Sequence, residues 1–215
     1  DRSRGLGDVY KRQFIKYFLC LLISLCVFAG TGCGFDVFGS GSGTAADAPL
    51  IIRMLDIGQG DAILIERNGK FALIDTGDVE HRPRMAEYLR KYGVKKVDTV
   101  IITHPHGDHI GGMFSVFANA EIRQVYDNGV PTSLSTYKTY RKILDKRKIP
   151  RRTLRGGEKI QLLDGVPFTV VGPLEKSNAR GENSRQNNES IVGLLKYGNS
   201  VSYTHLRAHE TDQYL

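Results

Sequence analysis

The chain has 215 residues, 40% of them hydrophobic and 25% charged, which suits one globular domain plus additional segments. A formal net charge of +7 tilts it towards polyanionic partners without selecting one, and a single hydrophobic stretch excludes a channel. Its three cysteines, Cys20, Cys26 and Cys33, all precede the expected domain, so a disulfide framework or a thiolate metal site in the core is excluded.

Residues 1–13 (DRSRGLGDVYKRQ) and 201–215 (VSYTHLRAHETDQYL) resemble read-through of sequencing-library adapters, and both are set aside from fold reasoning. This removes His205, His209, Glu210 and Asp212 from consideration as a metal cluster. From Phe14 to Cys33, one lysine (Lys16) precedes an apolar run of signal-peptide length and then small residues. AGTGCG (Ala29–Gly34) resembles a bacterial lipoprotein cleavage box with Cys33 as the lipidated residue; an uncleaved anchor helix is the alternative. Either places the domain outside the cytoplasm, membrane-tethered or secreted. Residues 34–48 form a Gly/Ser/Ala-rich linker.

The domain is expected over residues 49–200. Leu50–Leu55 and Ala62–Glu66 are apolar strand candidates joined by DIGQGD, and Asn68-Gly69 is a hairpin signal leading into Phe71–Ile74. Three such strands in succession predict an antiparallel meander, closed by Asp75–Asp78. Arg82–Tyr92 carries Met85, Leu89 and Tyr92 at helical spacing and stops at Gly93. Val97–Thr103, β-branched and apolar, predicts a buried central strand. Next come a short helix (Met113–Ala118), a strand (Ile122–Tyr126), and a helix (Ser135–Lys148) ended by Ile149-Pro150. Lys159–Leu163 and Val166–Val171 flank a second hairpin signal, Asp164-Gly165. Gly181–Asn188 reads as a polar loop and Ser190–Tyr197 as the last strand.

The chemistry concentrates between Thr103 and Gly112, THPHGDHIGG. Neutral imidazole and ionised carboxylate are the usual non-thiol ligands of a metal such as zinc. On extended chain His104 and His106 point the same way and can grip one ion, while Asp108 and His109 follow the turn and can face a second. Gly107, Gly111 and Gly112 permit close backbone approach.

The pattern T-H-x-H-x-D-H-x-G-G resembles the first metal motif of the metallo-β-lactamase superfamily. With LDIGQGDAILIE (Leu55–Glu66), LIDTG (Leu73–Gly77) and NNESIVGLLKYG (Asn187–Gly198), it is similar to the corresponding domain of ComEC-type competence proteins. The resemblance implies an α+β fold, the αββα metallo-β-lactamase-type sandwich, with two divalent ions, zinc or manganese, at one edge of the sheets. It implies His104 and His106 on one ion, Asp108 and His109 on the other, and Asp108 as a ligand within the catalytic centre rather than its primary base. Asp75 would orient the motif by hydrogen bonding. Asp61 and Gln59 either line the pocket or serve the turn with Gly58 and Gly60; Asn188 and Ser190 are pocket residues or strand-entry caps. The family continues into T-G-D and H-H-G-S segments that add ligands. The six histidines here are His81, the three of the motif and two in the set-aside tail, so the expectation is a truncated, amino-terminal portion with half a metal site.

Such a centre implies hydrolysis, by resemblance of phosphodiesters in DNA or RNA. Lys138 to Lys159 holds ten basic residues against Asp145 and Glu158. Arg147, Lys148, Arg151 and Arg152 are its candidate nucleic-acid contacts. Anionic envelope polymers, lipid, or simply a solvated helix face are the other readings. Hydrolysis of another ester, or a non-catalytic nucleic-acid or surface-binding lipoprotein, are the rival functions. Nothing in the sequence predicts a protein partner.

Overall fold

The computed structural model describes residues 48–204 apart from 175, 179, 180 and 199. The expected leader with Cys33, all of the linker before Ala48, and residues 1–13 and 205–215 lie outside the described residues. Among those described, no helix is long and apolar enough to cross a membrane.

The first sheet begins with the expected meander: β1 (Ile51–Met54), β2 (Ile63–Arg67) and β3 (Lys70–Ile74) pair antiparallel. Asn68 and Gly69, both at positive φ, make the β2–β3 turn, as the Asn-Gly pair predicts. Helix α1 (Arg82–Lys91) then crosses to β4 (Lys96–Val97) and β5 (Thr99–Ile102). The single strand expected over Val97–Thr103 is therefore split. At Asp98 the backbone N–H donates instead to Phe71 O, while β4 pairs with β6 (Glu121–Ile122) in a small sheet of its own. Between them lie α2 (Gly107–Ile110) and α3 (Met113–Asn119). The strand expected over Ile122–Tyr126 is likewise divided into β6 and β7 (Val125–Asp127). Helix α4 (Ser135–Arg147) leads to β8 (Arg151–Thr153), an edge strand that the polar RRT sequence does not advertise.

The order is β1-β2-β3-β5-β7-β8, with β3, β5, β7 and β8 parallel. Successive right-handed crossovers that advance in one direction place their helices on one face of a sheet. Here Met85 and Leu89 of α1, Met113 and Val116 of α3, and Tyr140 and Leu144 of α4 bury that face together with Leu73, Val100 and Val125. Strand alternation sends Ile63, Ile65, Ala72, Ile74 and Ile101 to the other face.

That second face is covered by β9 (Lys159–Leu163), β10 (Val166–Gly172), β11 (Val192–Tyr197) and β12 (Ser200–Thr204), ordered β12-β11-β10-β9. Phe168, fully buried, sits between the sheets with Leu162 and Val170; truncating it to alanine costs about 3–5 kcal/mol by the usual cavity argument. The layers are thus helix, sheet, sheet, three of the four layers of the expected α+β, αββα metallo-β-lactamase-type sandwich. Two further elements differ from expectation. Gly181–Asn188 is not a loop: Glu182–Asn188 is a helix, α5. Residues 201–204, set aside with the tail, pair with β11 as part of β12.

Candidate metal centre

The carboxyl ends of parallel strands leave backbone groups and side chains free to face a ligand. β3 ends here in Asp75, β5 in Thr103-His104, and β7 in Asp127-Asn128. Asp75, 2% exposed and at φ 53°, is the hub. Its Oδ1 accepts the backbone N–H of Thr103 (2.8 Å); its Oδ2 accepts Thr103 Oγ1–H (2.6 Å) and the Nδ1–H of His109 (2.8 Å). One carboxylate therefore fixes both the start and the end of the histidine motif.

Thr103 spends its hydroxyl proton on Asp75, so its oxygen accepts from His104 Nδ1 at 3.1 Å. That tautomer leaves a lone pair on His104 Nε2, which lies 3.1 Å from His106 Nδ1. Two nitrogens bound tetrahedrally at about 2.0–2.1 Å from one zinc ion sit about 3.3 Å apart, so this pair has the bite of a shared ion. The three imidazoles form one cluster, with His104 ring centroids 4.7 Å from His106 and 4.0 Å from His109. His106 Nε2 is buried without a hydrogen-bond partner. The donor set thus fits a divalent metal, although no group of three or more such side chains among the described residues is spaced to hold one as it stands.

The electrostatics divide the cluster. Burial, then the neighbouring His109 and His106, pushes the His104 imidazolium far below its ordinary range, and burial lowers His106 despite the nearby Asp108. Both are neutral, as a ligand must be. Burial also disfavours charge on His109, but Asp75, Asp108 and Asp61 outweigh it and raise its pKa to about 9. Asp108 Oδ2 lies 3.7 Å from His109 Nε2, the nitrogen that Asp75 leaves free.

The remaining expected residues fall as follows. Asp61 is exposed at the end of the DIGQGD turn, where its carbonyl accepts Gly77 N–H and its charge reaches His109. Gln59 is exposed on the same turn. Ser190 donates to Gln186 O, the arrangement of a helix-end cap, and Asn188 donates to Ser177 Oγ. Arg151 is held by both oxygens of the buried Asp127, Arg147 donates to Phe117 O, and Arg152 pairs with Glu158 at 3.3 Å. Lys148 is exposed at the left-handed end of α4, as are Lys138, Lys142 and Lys146 along that helix.

Sequence reasoning missed the second wall of the site. Glu182 of α5 accepts Ser133 N–H (2.8 Å), Asn128 Nδ2 donates to Glu189 O, and Ile191 N–H donates to Thr103 O. These bonds hold α5 across the ends of β5 and β7, with Asn183 facing His106. The only sequence signal was the density of amide and hydroxyl side chains.

Comparison with known proteins gives the family. The chain is 38% identical over 79 residues to Recombination protein 2 of Haemophilus influenzae (33% of this chain, 10% of that protein). It is 24% identical over 169 residues to ComE operon protein 3 of Bacillus subtilis (68% and 20%), and 34% over 86 residues to Ribonuclease Z of Bradyrhizobium diazoefficiens (40% and 26%). It spans about a quarter or less of the length of these relatives. The profile of the metallo-beta-lactamase superfamily matches residues 55–172, more than half of the sequence and the whole of the strand-end cluster, and the chain belongs to that superfamily.

Proposed function

We propose that this chain carries the histidine-motif side of a metal-dependent phosphodiesterase of the competence-protein branch, acting on DNA or RNA. Members of the superfamily are typically metal-dependent hydrolases. The observation that carries the reading is the pair of neutral nitrogens, His104 Nε2 and His106 Nδ1, held 3.1 Å apart by a chain of hydrogen bonds from Asp75. In it His104 and His106 hold one divalent ion, zinc or manganese, and Asp108 and His109 the other. When bound, such ions supply Lewis acidity to a phosphoryl oxygen and ionise water near neutral pH. Asp75 keeps both ligand pairs in register, and Asp61 lends negative charge beside His109.

Support for a nucleic-acid substrate comes from the relatives' names, one of which is a ribonuclease, and from the lysines of α4. Lys138, Lys142 and Lys146 recur every four residues, so they line one face of the helix, and α4 packs against α2 of the metal motif. Among the basic residues between Lys138 and Lys159, these exposed ammonium groups are better placed for phosphates than Arg151, which Asp127 occupies. Export and tethering through Cys33 complete the proposal. A second reading, a nucleic-acid or surface-binding lipoprotein without turnover, is favoured by the same lysine face, which can hold phosphates with no metal at all.

The test is a zinc and manganese titration of the purified chain, followed by assay on bis(p-nitrophenyl) phosphate and on single-stranded DNA. A complete zinc shell is worth about 10–16 kcal/mol, and two ligands about half of that, which corresponds to dissociation constants from about 0.2 mM to about 1 µM. Binding in that range, abolished by His104→Ala, supports the metal reading. No binding at millimolar metal refutes it; with half of the ligands present turnover by this chain is expected to be near zero, so DNA binding that persists unchanged without metal is the result that favours the second reading.

A further inference from the structure

We propose that Asp78 and His81 are a positioning pair for Asp108, acting through the Ile57–Asp61 turn; the inference rests on the metal reading above. Asp78 Oδ1 accepts the backbone N–H of His81 (2.7 Å), and both carboxylate oxygens lie within 2.9 Å of His81 Nδ1. The ring is therefore fixed in orientation. Burial would raise the Asp78 carboxyl, but the hydrogen bonds and charge of His81 outweigh it and hold the group below its usual range.

The fixed ring is not spent on the helix. His81 itself precedes α1, and no side-chain cap bond is made there. Its imidazole lies against Gly58 instead: a Cβ on Gly58 would come within 2.3–2.6 Å of Cε1, Nδ1 and Nε2. Two residues on, Gly60 (φ 88°) lies against Asp108 so closely that a Cβ there would sit 1.9 Å from the Asp108 carbonyl oxygen. The turn is thus wedged between the His81 ring and the main chain of Asp108. Its far end is tied by Gly77 N–H to Asp61 O (2.9 Å). The next residue of α1 holds the other flank of the motif, since Arg82 Nε donates to Gly111 O at 2.8 Å. Pressure from His81 is passed through Gly58 and Gly60 to Asp108, the motif's one carboxylate, which is 32% exposed and meets His109 Nε2 at 3.7 Å. A pair that served only to start α1 would need the Asp78 bond to His81 N–H but not the ring contact.

Three measurements on the full chain test this: amide hydrogen exchange, zinc titration and urea unfolding. In metal-free protein His81→Ala should speed exchange at Gly60, Asp61 and Asp108 at least tenfold, with Ile74 and Ile101 unchanged. It should weaken the weaker of two zinc-binding events by about 10–100-fold, the usual effect of losing a group that orients a ligand. Asp78→Asn, which keeps an acceptor for Nδ1–H, should restore most of the protection lost in Asp78→Ala. The double variant Asp78→Ala/His81→Ala should be no worse than His81→Ala, because the two act as a unit. Unchanged exchange at Gly60 and Asp108 in His81→Ala overturns the proposal, as does a double variant whose losses simply add. Should His81→Ala fail to unfold cooperatively, His81→Gln replaces it with the same expectations at reduced size. If the unsubstituted chain binds no zinc, the metal reading fails by itself, and the exchange data still decide whether the pair positions Asp108.

Discussion

Asp75→Ala removes three hydrogen bonds in one step, those from Thr103 N–H, Thr103 Oγ1–H and His109 Nδ1–H. At 2% exposure, water does not replace them without entering the core. Removing one partner of a buried ion pair costs about 3–5 kcal/mol. A second route bounds the figure: His109 rises from 6.5 to about 9, and at about 1.4 kcal/mol per pH unit that interval is worth on the order of 3 kcal/mol, of which Asp75 supplies the largest share and Asp108 and Asp61 the rest. The folded-state pKa is the higher one, so this contribution is fully present below about pH 6.5 and is lost as the pH rises through about 9. The assay is urea unfolding of metal-free protein at pH 6 and at pH 9.5. With a slope of about 1–3 kcal/mol per molar urea, the variant's midpoint at pH 6 should fall by about 1–5 M. The unsubstituted chain should lose most of that difference by pH 9.5, and the variant should show little of this pH dependence. A loss below about 1 kcal/mol at pH 6, or equal pH dependence in both proteins, refutes the reasoning.

The same proton bears on metal uptake. Binding at His109 Nε2 must displace it, so apparent zinc affinity should rise up to about tenfold per pH unit between pH 7 and 9, read by calorimetry in buffers of different ionisation enthalpy. Gly60→Ala places a methyl 1.9 Å from Asp108 O at φ 88° and should destabilise the chain by more than about 2 kcal/mol, while Gly69→Ala, with nothing within 4 Å, should lose only the strain of its positive φ; thermal unfolding separates them. Replacing Lys138, Lys142 and Lys146 together by glutamine should lower the salt slope of single-stranded DNA binding by about 0.7 for each phosphate no longer neutralised, whereas Arg151→Gln should chiefly lower stability by stranding Asp127. Equal salt slopes before and after the triple change remove the α4 surface from the proposal.

The residues THPHGDHIGG could be read because their chemistry is contiguous: one turn of chain supplies three histidines and an aspartate. The meander was legible for the same reason, its Asn68-Gly69 turn being local and its strands short apolar runs. What escaped was whatever long-range contacts decide. β8 is three polar residues that become a strand only by pairing with β7. Helix α5 has no apolar periodicity in ENSRQNN and is held by Ser133, Asn128 and Thr103, distant in sequence. Arg151 looked like a free cation because its partner, Asp127, lies 24 residues away on the neighbouring strand. The break at Asp98 arises because a β-branched run carries no record of which neighbour each half will find.

At Gly60, Gly111 and Gly112 the space a side chain would need is already filled by the main chain of Asp108, Asp78–Val79 and Thr76. Backbone resting on backbone has no rotamer to adjust, so the floor of this centre has almost no room for mutational drift. New specificity in a descendant would have to be written into the parts whose bonds run through side chains, the Thr132–Leu134 segment and α5. The cluster is built so that its backbone frame is inherited whole while the wall beside it stays open to change.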